Sequence, residues 1–130
     1  VNKLLFVALL GLASCGTTLL GGSSPTSIVK DYYTACNAGN YSTAENYLSE
    51  DARNLNHGSL GQLAGGTKAA CDHDSRNGTV TTVEIKSESV RGEGATVIAN
   101  IHFKNGSVKI GDVTQMIKEN GNWKVTTGGN

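Results

Sequence analysis

Two Asn-Gly dipeptides, Asn105-Gly106 and Asn120-Gly121, stand between runs of alternating residues and constrain what the last third of this chain can become. Asn-Gly is the favoured two-residue hairpin turn, because both residues tolerate the positive φ that such turns require. Val97, Ala99, Ile101 and Phe103 alternate with Ile98, Asn100, His102 and Lys104, the period of a strand with one buried face. Pairing across the first turn sets Phe103 against Val108 and Ile101 against Ile110. Across the second it sets Trp123 against Lys118 and Val125 against Met116. A three-residue loop at Gly92-Glu93-Gly94 then brings Ile85 opposite Ile101 and Val83 opposite Phe103, whereas a two-residue loop turns them to the other face. The expectation is a four-stranded antiparallel meander with one apolar face, Ile110 included.

Ahead of the strands the period is helical. Ser24-Pro25 reads as an N-cap followed by proline at the first helical position. Ile28, Tyr32 and Cys36 recur every four residues beside Val29 and Tyr33, and Gly39 offers a left-handed stop. That gives a helix over 25–38. Ser42 and Glu45 form a capping box for a short second helix through about Leu48. A weak third helix is expected over 59–71, with Gly65 and Gly66 each costing it up to about 1 kcal/mol relative to alanine. The fold class is therefore α+β, with three N-terminal helices packed on the meander.

The first residues carry an address. Lys3 precedes the apolar run Leu4 to Leu12, too short for a membrane span, which needs about twenty residues. The run ends in Leu12-Ala13-Ser14-Cys15, which resembles the lipobox of bacterial lipoprotein signal peptides. That resemblance implies cleavage before Cys15 and attachment of a diacylglycerol to its thiol. Residues 1–14 are then a signal peptide, 15–24 a lipidated cysteine and flexible tether, and 25–130 the folded domain. Loss of Lys3 leaves ten basic against eleven acidic residues, so attachment rests on the acyl chains rather than on attraction to anionic lipid. Gly16 is not the aspartate that marks inner-membrane retention in such lipoproteins, which points to an outer membrane where the cell has two. The even balance of eleven basic and eleven acidic residues in the whole chain also argues against nucleic acid as a partner.

The order of helices and strands, together with Ser24-Pro25 leading to Val29-Lys30-Asp31-Tyr32-Tyr33, resembles the nuclear-transport-factor-2-like (cystatin-like) superfamily. Gly39-Asn40-Tyr41-Ser42-Thr43-Ala44 and Lys118-Glu119-Asn120-Gly121-Asn122-Trp123-Lys124-Val125 resemble its small bacterial lipoproteins of unknown function. The resemblance covers roughly residues 24 to 127. It implies a curved sheet wrapped around the long helix as a cone, often with a pocket at its open end and often paired as a dimer through the sheet. It implies no single activity.

The meander places Asp112 and Thr114 on the apolar face, where a carboxyl group suits general acid or base work. A bulge at Gly111 instead turns Asp112 outward. Tyr33, Thr114, Met116 and Trp123 join Asp112 as the expected pocket. Ile98, Val113 and Ile117 lie on the opposite face as a candidate dimer surface. Cys36 and Cys71 remain after lipidation in a compartment that permits disulfides, and a bridge between them is expected in preference to two free thiols. Asp72-His73-Asp74, with His57 and His102, is read as solvated polar residues and not as a metal site. No nucleophile elbow, phosphate loop or HExxH occurs, and no cofactor is expected. The leading reading is a lipid-anchored, exported, non-enzymatic domain that binds a small apolar ligand or an envelope protein. The alternatives are a proton-transfer enzyme using Asp112 and Tyr33, and a structural lipoprotein whose cone is filled by Trp123, Met116 and Phe103.

Overall fold

The computed structural model describes residues 23–58, 65–74 and 78–126, with backbone alone at 73 and 74. The signal peptide, Cys15, most of the tether and the first six residues of the expected third helix lie outside that range. Helix α1, Pro25–Asn37, begins at Ser24, whose side chain accepts from the Ser27 N–H, and closes before Gly39 at φ +72°. Glu88, reaching over from the sheet, takes the Thr26 N–H at 3.0 Å and its hydroxyl at 2.8 Å. This carboxylate meets the positive end of the helix dipole.

Helix α2, Tyr41–Asn46, starts from Asn40, whose side chain accepts from the Thr43 N–H. The expected Ser42 and Glu45 capping box does not form, because Asn40 takes the cap and leaves Ser42 inside the helix, while Glu45 pairs with His57. Leu48 leaves the helix to make a parallel bridge with Val125. Helix α3, Glu50–His57, was not expected. Ser49 caps it, but Ala52 is its one buried residue, so no apolar stripe announces it. Helix α4, Gly66–Asp74, continues past Cys71, and Gly65 and Gly66 take positive φ at its start rather than weakening its interior.

Strands β1 (Val80–Arg91), β2 (Gly94–Phe103), β3 (Val108–Glu119) and β4 (Asn122–Val125) form an antiparallel meander in that order. The fold is α+β, a few helices on a four-stranded sheet. Val97, Ala99, Ile101, Phe103, Met116 and Trp123 bury their face against Ile28, Val29 and Tyr33 of α1. A second cluster joins Tyr32, Ala35, Ala44, Leu48 and Ala52 to Cys36 and Cys71. Those cysteines are bonded to each other, with Cα atoms 5.2 Å apart.

The last hairpin has the expected register: Lys118 faces Trp123 and Met116 faces Val125, with Asn120 and Gly121 both at positive φ. The other two hairpins differ in an instructive way. Asn105-Gly106 closes a three-residue loop, in which Phe103 N–H donates to the Ser107 carbonyl and Gly106 sits at φ +89°. Ile101 therefore faces Lys109, not Ile110. Ile110 is correspondingly 73% exposed. A bulge at Gly111, φ +70°, then adds a residue and returns the strand to the expected pairing, with Ala99 opposite Asp112 and Val97 opposite Thr114. The Gly92-Glu93 loop has two residues, and a register shift between Ile85 and Ser87 restores the faces. Val83 thus meets Ile101 and Ile85 meets Ala99.

Gly111 therefore keeps Asp112 inward, where the sequence offered the bulge as a way of turning it out. The Asn100 carboxamide oxygen accepts the Gly111 N–H at 3.0 Å and fixes the bulge. A Cβ at 111 meets nothing within 4 Å, so the penalty of a side chain there is conformational. Gly111→Val is expected to lose about 1 to 2 kcal/mol in denaturant unfolding.

Candidate functional site

Strand β4 stops at Val125 while β3 runs on, back to Val108. The gap it leaves over α1 is a cavity of about 320 Å³, at the small end of the range for ligand sites. Val29, Tyr32 and Tyr33 of α1 form one wall, Lys109, Asp112 and Thr114 of β3 the other, and Val125 and Thr126 the end. The walls are mixed, with the valines and tyrosines set beside the polar Lys109, Asp112, Thr114, Gln115 and Thr126. Tyr32 and Tyr33 pack edge to face with centroids 5.8 Å apart.

The polar centre is Asp112, whose side chain is 11% exposed. Its Oδ2 accepts from the Tyr33 hydroxyl at 3.3 Å, and its Oδ1 accepts from Lys109 Nζ at 2.5 Å. Each carboxylate oxygen thus has a donor, as a partly buried charge requires. This arrangement fixes a dipolar centre in the notch, suited to orienting a ligand that carries a polar group. Each oxygen keeps a second lone pair, so the same group also has room to accept a further hydrogen bond or a proton.

Of the residues singled out from sequence, Tyr33, Asp112 and Thr114 come together here. Met116 and Trp123 do not line the notch: they are buried in the sheet core with Phe103, packed among Ala95, Val97, Ala99 and Ile101 and against α1. The interior is filled, and the opening lies beside it. Lys109 was missed. Its signal was the i, i+3 spacing to Asp112 across Gly111, which becomes a contact only when the bulge forms.

On the outer face Ile98 pairs with Val113, and Ile117 lies opposite Gly94. His102 is also there, bonded to Glu84 at 3.0 Å. That bond, followed by the charge of Lys86, holds the Glu84 carboxyl below the usual carboxylate range. His57 is paired with Glu45 and Asp72 with Lys68 at 2.7 Å. These groups therefore point to three separate places. Among the described residues no three His, Cys, Asp or Glu side chains are grouped as metal ligands, and no helix is long and apolar enough to cross a membrane.

Comparison with known proteins adds a family. A model of a domain of unknown function, DUF4878, matches residues 14–126. The chain belongs to that family. Among solved structures, an NTF2-like transpeptidase candidate from Campylobacter jejuni aligns with a TM-score of 0.63 at 14% identity, over 82% of this chain and 100% of the other. A SEC-C motif containing protein from Rhodopseudomonas palustris aligns with a TM-score of 0.58 at 17% identity, over 82% and 77%. At such identities the likeness is one of fold, and the fold is NTF2-like. No curated protein sequence matches the chain.

Proposed function

We propose that this DUF4878 domain is a non-enzymatic binding module, exported and held at a bacterial envelope membrane by lipid on Cys15, facing the periplasm or the exterior. The observation that carries the binding reading is the notch itself. It is a cavity of mixed lining, valines and tyrosines on one part and polar side chains on the other, in which Tyr33 and Lys109 engage both oxygens of Asp112. A small apolar ligand or an envelope protein fits that chemistry. Support for the anchor is the lipobox Leu12-Ala13-Ser14-Cys15, and outer-membrane sorting follows from Gly16 where two membranes exist. A homodimer through Ile98, Val113 and Ile117 belongs to the same reading, since it would cover apolar side chains of which Val113 is 54% exposed.

The test has two arms. Radiolabelled palmitate is expected to enter the wild-type chain and not Cys15→Ala, which is released from the membrane fraction. In the second arm, Thr114→Phe fills the notch and is expected to weaken binding of a fluorescent apolar probe about tenfold or more, while Asp112→Asn weakens it less because shape survives. Proton-transfer catalysis is the second reading, favoured by the Tyr33 to Asp112 contact. Turnover of a small apolar substrate lost in both Tyr33→Phe and Asp112→Asn would replace the binding reading with it.

A further inference from the structure

The notch is bounded by an unfinished ladder. β3 and β4 pair from Glu119 down to Met116, opposite Val125, and the ladder ends with the Thr126 N–H on the Gln115 carbonyl at 3.0 Å. Beyond that point, among the described residues, β3 continues back to Val108 paired with β2 alone. Backbone groups alternate in direction along a strand. Since the Gln115 carbonyl turns toward β4, the N–H and C=O of Val113 turn the same way. The Ser107 carbonyl turns toward Phe103, so those of Val108 and Ile110 turn away from β2. Among the described residues no backbone group bonds to them there.

The side chains at these three positions are exposed apolar ones: Val108 at 40%, Ile110 at 73% and Val113 at 54%. Open edges are normally guarded by charge and bulges. The other edge strand, β1, has both, with Glu84, Lys86 and Glu88 along it and register shifts at two places. On β3 the open stretch carries the Gly111 bulge and two charges, Lys109 and Asp112, which are tied to each other and line the notch.

We infer that the occupant of the notch is an extended segment of a partner protein, added to β3 antiparallel, as the collinear continuation of the established β3 to β4 pairing. This rests on the binding reading above and names its ligand class. One set of its alternate side chains enters the cavity beside Tyr33 and Thr114, and the other covers Val113 and Ile110. Its direction puts its C-terminal end toward the tip of the β2 to β3 hairpin, where Lys104 is the nearest free cation in sequence. A carboxylate at that end, from an acidic residue or a chain terminus, completes the match.

The probe is the synthetic peptide acetyl-Thr-Val-Thr-Val-Thr-Val-Glu, titrated into the full chain in mild detergent and followed through backbone amide resonances. The inference expects shifts at Val108, Ile110 and Val113. It also expects N-methylation of one alternate set of peptide amides to weaken binding about tenfold or more, with the other set nearly neutral. No shift at millimolar peptide overturns it. So does binding indifferent to both methylation patterns, or binding that appears only when the chain is ended at Thr126, which would assign the edge to residues 127–130. If any of these occurs while Thr114→Phe still abolishes binding of the apolar probe, the strand inference falls and the notch stands. If Thr114→Phe leaves the probe unaffected, the notch falls too.

Discussion

Replacing Cys36 and Cys71 together with alanine is expected to lower the unfolding free energy by about 4 kcal/mol. The bond joins α1 to α4 across 35 positions of sequence, and opening it releases a loop of that length in the unfolded chain. Both residues lie in the smaller core cluster, where Ala35, Ala44 and Ala52 offer little apolar area. That half of the molecule depends on the crosslink more than the sheet does. For a domain of this size the loss corresponds to a fall in melting temperature of roughly 15 to 30 °C. Calorimetry of the double variant, beside wild type with and without reductant, checks it. Equal melting of all three would mean that the bond contributes nothing to the fold.

Trp123→Ala is expected to cost about 3 to 5 kcal/mol, the usual penalty for removing a large aromatic from a core. Trp123 sits on the short strand β4, 8% exposed among Met116, Phe103 and α1. Its ring also lies 5.4 Å from the Lys118 ammonium of the facing strand, a cation–π contact that would be lost with it. Because Trp123 does not line the notch, the variant is expected to bind an apolar probe normally at temperatures where it remains folded. Denaturant unfolding gives the first quantity and a probe titration the second. Loss of binding with stability intact would place Trp123 in the site.

What the sequence made legible follows from where local chemistry alone decides. Ser24-Pro25 and Gly39 bound α1, and Asn120-Gly121 fixes the last hairpin, because cap and turn geometry need no tertiary partner. Asn105-Gly106 was misleading for a physical reason. The same dipeptide also suits a three-residue loop whose last residue is the left-handed glycine, and nothing nearby distinguishes the two. The slip it causes is undone by Gly111, so the inward positions of Asp112 and Thr114 come from two departures that cancel, while Ile110 between them is left exposed. Helix α3 was hidden because Ala52 is its sole buried residue. Lys109 was missed because its contact with Asp112 exists only across the bulge. The notch was expected as the mouth of a cone lined by Met116 and Trp123. It lies instead where β4 ends, and strand length is set by pairing that no local pattern reports.

The central claim is that this gap between β3, β4 and α1 holds a ligand. Native mass spectrometry of the full chain, released gently from membranes with its Cys36 to Cys71 bond intact, tests it most directly against the Thr114→Phe variant. A bound species on the wild type that is absent from the variant is the expected result. Identical bare masses for the two proteins would contradict it.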